Sequence, residues 1–146
     1  MAVEITGMNE LLNNLKGFVY DVDQAVSESV KVTAFKVQKN AISLIKEPSV
    51  GTYVTRYTAQ GEPYSHVASK SGDAPNTDTG RLVGDINVDF SKGDLFAYVF
   101  TNVPYGFFLE TVMNRPFLQP ALIEGKKDFS QVLKRSLEKQ IEKAGK

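Results

Sequence analysis

Three groups of residues in this 146-residue chain carry side chains suited to chemistry. They are the tripeptide Asp78-Thr79-Gly80, the single histidine His66, and Tyr53, Arg56, Tyr57 and Tyr64, interleaved along segment 47–75. Asp-Thr-Gly is the tripeptide of aspartic proteases, in which two carboxylates share one proton at close range. That chemistry needs an Asp leaving an apolar strand to meet a second carboxylate. Here the tripeptide occurs once, follows Ala74-Pro75-Asn76-Thr77, and precedes Arg81-Leu82-Val83, the opening of a helical pattern. Thr77 or Asp78 therefore reads as a helix N-cap and Gly80 as a turn residue, both serving shape. A small aspartic-type hydrolase using Asp78 stands as an alternative.

His66 has no cysteine to share a metal with, and the sequence offers no cluster of carboxylates around it. As a general base it lacks a nucleophile and an orienting partner at recognisable spacing, so it reads as a polar anchor. No P-loop or dinucleotide fingerprint occurs, and no cofactor or metal is expected. Segment 47–75 carries Arg56 and Lys70 against Glu47, Glu62 and Asp73, the wrong sign for an electrostatic groove. Residues 123–146 carry seven basic and four acidic side chains, so a nucleic-acid-binding module using the C-terminal helix is a second alternative. A solvated helix face explains the same charges.

The elements that must hold these residues follow from periodicity. Alternation over residues 2–6 predicts a short strand, and Asn9 caps a brief helix with Leu11, Leu12 and Leu15 that Gly17 ends. From Phe18 to Lys46, Val19, Val22, Val26, Val30, Ala34, Val37, Ala41 and Leu44 recur at steps of three and four, a long helix stopped by Pro48. Val32, Phe35 and Ile42 lie off that stripe, as a wider buried face or as a surface covered by another subunit. Segment 47–75 reads as a long extended loop ordered against a partner, because its aromatics and Arg56 are residue types that anchor interfaces.

Past the hinge at 74–86, Ile86, Val88 and Phe90 predict one strand and Leu95–Thr101 a second, more deeply buried one, joined by a turn at 91–94. Pro104 opens a short helix through Glu110. Arg115-Pro116-Phe117-Leu118 leads into a last helix with Leu122, Phe129, Val132, Leu133, Leu137 and Ile141 at helical spacing, and the tail about 140–146 reads as frayed. The expected fold is α+β in one domain over 1–146. A long N-terminal helix and a C-terminal helix pack on a small, mainly antiparallel β-sheet.

Composition agrees with one ordinary core, at 42% apolar and 23% charged. With 17 basic and 17 acidic residues the formal charge is zero, so no global field steers the protein to nucleic acid or an anionic membrane. No cysteine means no disulfide framework and no thiolate site. No apolar run reaches the ~18 residues of a bilayer span, and the start Met-Ala-Val-Glu-Ile lacks the pattern of a signal peptide; synthesis and assembly in a cytoplasm are expected.

The order of features resembles one family, the tail-completion or head-tail joining proteins of long-tailed bacteriophages. The resemblance rests on Ile5-Thr6-Gly7 with Glu10-Leu11, a long helix, and a segment with Tyr and Arg followed by His66-Val67-Ala68-Ser69 and Gly72-Asp73-Ala74-Pro75. It continues through Asp78-Thr79-Gly80-Arg81-Leu82, a hairpin, Val103-Pro104-Tyr105, Leu109-Glu110, Arg115-Pro116-Phe117-Leu118 and Pro120-Ala121-Leu122. The pieces lie in collinear order across nearly the whole chain. One departure is Thr111-Val112-Met113-Asn114, where the family usually carries an aromatic and a glycine. The resemblance implies a structural virion protein of the tail and neck, assembled in the host cytoplasm as a homohexameric ring through which DNA passes without specific binding. The implied partners are copies of itself, a neck-closing (stopper) protein and a tail-tube protein. Tyr53, Arg56, Tyr57, Tyr64, His66, Arg115 and Phe117 are the expected interface residues.

Overall fold

The computed structural model describes residues 8–144 as an α+β fold. In order, the elements are α1 (Met8–Lys46), β1 (Gly51–Tyr57), β2 (Pro63–Ser69), α2 (Arg81–Gly84), β3 (Ile86–Asp89), β4 (Tyr98–Thr101), α3 (Pro104–Phe107), a π-helical turn (Phe108–Val112) and α4 (Leu118–Ala144). The strands form two separate antiparallel pairs, β1–β2 and β3–β4, where one small sheet was expected. The strand anticipated at residues 2–6 lies outside the described residues.

α1 is a single helix. Asn9 sits inside it, and Gly17 does not end it; one glycine costs about 1 kcal/mol relative to alanine, too little to break a 39-residue helix. α1 and α4 lie side by side and antiparallel, as the pairing of Lys36 with Asp128 and of Glu28 with Lys139 requires. Small residues line the seam: Ala25, Ser29, Ala34 and Ala41 on α1 meet Ala121, Gly125 and Ser136 on α4, all buried. A Cβ at Gly125 would lie 2.4 Å from Cγ2 of Val37, so the axes approach as closely as a missing side chain allows. The buried Ser29 hydroxyl donates to the Ala25 carbonyl one turn earlier.

Ala34, Val37 and Ala41 are buried as their spacing predicts and Leu44 packs against the core, but Val22, Val26 and Val30 are only half-buried, and Val19 is exposed. The close approach selects the small residues and displaces the valines to its edges. The same effect leaves Leu122 and Ile141 of the expected α4 stripe on the surface. Of the second α1 set, Ile42 packs against the core, while Val32 and Phe35 are exposed and Phe35 stacks, tilted, on Phe90.

Val37, Ala41, Ile45, Leu82, Ile86, Val103, Phe117 and Ala121 form the core, which sits where the end of α1 meets the start of α4. At the other end α1 outruns its partner. α4 ends at about the level of Val22, and the described side chains of α1 before Asp21 are all exposed, Leu12, Leu15, Phe18, Val19 and Tyr20 among them. That arm is roughly 20 Å long at ~1.5 Å per residue. α4 stays helical through Ala144, so the tail expected to fray is ordered as far as it is described.

β3 carries the buried strand position, Ile86, whereas Leu95 and Phe96 fall outside β4 and are exposed with Tyr98. The second strand is thus the less buried one: β3 places Ile86 in the core and is tied to α1 by Gln38, which donates to the Ile86 carbonyl at 2.6 Å, while β4 adds only the half-buried Val99 to the edge of that core. α3 begins at Pro104 as expected, but the chain widens into a π turn instead of continuing as α-helix through Glu110. No helix among the described residues is long and apolar enough to cross a membrane.

Candidate functional site

Segment 47–75 is a β-hairpin where a structureless loop was expected. Gly51 to Tyr57 pair with Ser69 to Pro63, and the reversal closes through Thr58 and Glu62. Most of β1 faces solvent and shows no apolar face, so its sequence carries little of the alternation that marks a half-buried strand. The base of the hairpin is held by Asn76. Its Oδ1 accepts from the Ser49 backbone N–H at 2.8 Å and the Ser49 hydroxyl at 3.1 Å, and its Nδ2 donates to the carbonyls of Ser49 at 3.0 Å and Val67 at 2.9 Å. One side chain thus ties the exit of α1 to β2 and to the approach to Asp78.

Asp78 is not a helix cap. α2 starts after Gly80, whose φ of 78° puts it in the left-handed region, and no side chain caps that helix. The turn role of Gly80 holds; the capping role of Thr77 or Asp78 does not. Asp78 instead faces the hairpin, accepting from the Tyr64 hydroxyl at 2.9 and 3.1 Å, with His66 Nδ1 at 3.8 Å from Oδ1. Donation to Asp78 holds the Tyr64 phenol above its ordinary pKa of 10.0, with Arg56 pulling weakly the other way.

These residues line a cleft of about 420 Å³ between the hairpin, the 75–82 segment and the π turn. Ile45, Leu82, Leu109 and Met113 make it apolar, and Arg56, Arg81 and Arg115 make it positive against the single carboxylate of Asp78. Three of the chain's four arginines are therefore in one place, and among the described residues none of them has a carboxylate within ion-pair distance. Two buried polar atoms of the lining, Arg115 Nε and Ser69 Oγ, lack hydrogen-bond partners among the described residues. Leaving such a group unpaired costs about 1–3 kcal/mol. Among the described residues no group of three or more His, Cys, Asp or Glu side chains is placed to hold a metal ion.

Of the residues singled out in the sequence, Arg56, His66, Asp78, Gly80 and Arg115 meet in this cleft, with Tyr64 reaching it through Asp78. Tyr53 and Tyr57 do not join them; they stand 78% and 68% exposed on β1. Phe117 is a correction. It is completely buried in the core, and so has no surface to offer a partner on the folded chain.

Arg81, Asn76, Ser69 and Glu110 were not visible as site residues. Glu110 has the clearest role. Its carboxylate leaves the π turn and accepts from the backbone N–H groups of Phe117 at 2.8 Å, Leu118 at 3.1 Å and Gln119 at 2.9 Å. Pro120, next in line, has no N–H, so one side chain satisfies every free donor of the first turn of α4 and faces the positive end of its dipole. The link spans seven residues and a bend, beyond the local capping patterns that sequence reveals. The bend itself depends on Asn114, at φ 48°, a left-handed conformation that asparagine tolerates in the absence of glycine. Its side chain donates to Ser71 Oγ, and its carbonyl accepts from the Gly72 N–H, closing the π turn onto the hairpin exit. In comparisons with known proteins, no family model, no curated protein and no solved structure matches this chain.

Proposed function

We propose that the protein is a structural subunit of the bacteriophage head-tail junction, forming a ring that completes the tail and joins it to the capsid neck. The observation that carries the assembly part of this reading is the bare arm of α1. Leu12, Leu15 and Val19 repeat at steps of three and four on a stretch of helix that no other element packs against among the described residues, and Phe18 and Tyr20 are exposed beside them. Isolated helical turns are marginal in water, and an apolar surface of this extent on a helix is the kind that partners cover. A cyclic ring needs two different surfaces on each copy, and the arm supplies apolar area that such contacts cover. The assignment to phage tails rests on the collinear motifs described above, and in this reading the protein is a non-enzymatic component of the virion.

The test is native mass spectrometry of the chain alone and mixed with the tail-tube and neck-closing proteins of the same genome. A closed oligomer, a sixfold one in the simplest case, supports the reading. Monomers in every mixture reject it.

A further inference from the structure

We propose that the arginine-lined cleft is a socket for a second copy of the chain, and that what enters it is the tip Asp94-Leu95-Phe96 between β3 and β4. The inference rests on the reading that copies of this chain assemble side by side.

The cleft has the chemistry of an acceptor. Arg56, Arg81 and Arg115 present guanidinium groups with no carboxylate partner among the described residues, and Arg115 also keeps its buried Nε–H without an acceptor. Planar guanidinium groups pair with carboxylates through two parallel hydrogen bonds, which lysine cannot do. The lysines that have ion pairs in this chain find them within the subunit, whereas the three arginines wait together at an apolar floor. Ser69, 3% exposed, lines the same space with an unpartnered hydroxyl. A ligand for this site carries an acid group next to apolar bulk.

The tip has the complementary chemistry. Two consecutive reverse turns, with the Gly93 N–H donating to the Phe90 carbonyl and the Phe96 N–H to the Gly93 carbonyl, hold it in a defined shape. Gly93 takes φ 111°, which the double turn needs. The result displays the Asp94 carboxylate at 70% exposure beside Leu95 and Phe96, both more than half exposed. Apolar side chains held outward by an ordered turn stay solvated unless a partner covers them. Among the described residues the Asp94 carboxylate has one ion pair, with Lys31 at 3.1 Å.

The two surfaces cannot meet in one molecule. The tip contacts α1 at Lys31 and the cleft contacts α1 at Ile45, positions roughly 21 Å apart at ~1.5 Å per residue of helix. Distinct, mutually complementary patches on one chain make a head-to-tail contact, which closes into a ring when the rotation between copies divides a full turn.

Because the chain has no cysteine, the contact is read by directed cross-linking of the full chain. A Leu95→Cys chain is mixed with a Met113→Cys chain and treated with a short bismaleimide, and the expected product is a 95–113 linked dimer. Arg56→Glu with Arg81→Glu in the Met113→Cys chain lowers the yield about tenfold or more, as loss of an interfacial charge pair does. Asp94→Arg in the other chain restores it. Both arginines are exposed, so circular dichroism should find the variants folded.

Three results overturn the proposal: no 95–113 product, a product indifferent to the arginine changes, or inorganic phosphate binding at the cleft with no linked dimer. Rings seen by native mass spectrometry without the 95–113 link reject this contact alone and leave the ring reading standing. Absence of any complex rejects both.

Discussion

Glu110 is the residue on which the junction of the two halves depends most. Replacing it with alanine frees three backbone N–H groups at the start of α4, and the expected loss is about 2 kcal/mol in a denaturant titration. Glutamine keeps one accepting oxygen and loses less. Asp85 does similar work at the end of β4, accepting from the Thr101 hydroxyl and from the backbone N–H groups of Asn102 and Val103. The Thr101 bond first, and then the backbone bonds, hold its carboxyl below the usual 3.8. A depressed carboxylate contributes stability above its unfolded value and loses it as pH falls through the folded one. The thermal midpoint of the protein should therefore begin to drop as pH falls toward 3.8 and keep dropping below it, and the drop should be smaller in Asp85→Asn. Neither carboxylate was legible as a structural residue, since each bonds to groups that come near only when the chain folds back.

Among the elements, the α1–α4 pair is governed by its small residues. Gly125→Leu places a side chain where Val37 already lies, and overpacking of this kind costs about 1–3 kcal/mol, measurable as a lower denaturant midpoint with an unchanged slope. The arm of α1 behaves oppositely. Leu12→Ser, Leu15→Ser and Val19→Ser act on exposed positions, each within about 0.5 kcal/mol of neutral, so the subunit core keeps its stability. On the proposed function the same triple change abolishes the oligomer in native mass spectrometry. The helical period over 18–46 was readable because one face of α1 is buried along most of that length. The hairpin 51–69 was missed because a two-stranded sheet lying mostly in solvent needs no apolar alternation.

At the scale of the molecule, the subunit gathers its core at one end and leaves apolar surface at the others: the arm of α1, the tip at 94–96, and Phe107, Phe108 and Val112 around the π turn. Exposed apolar surface of this kind, on a chain of zero formal charge, is what the proposed assembly would cover. Composition and periodicity by themselves determined the α+β class, the two long helices, the β3–β4 pairing and the start of α3 at Pro104. Those features follow from apolar spacing and backbone chemistry within a few turns of chain. Only the tertiary structure decided that Asp78 faces Tyr64 and His66 and not a helix end, that Phe117 is core, and that three arginines share a cleft. Those outcomes depend on which distant segments touch. A side chain's role as cap, core or socket is set by the groups that folding brings to it, and no local spacing records them.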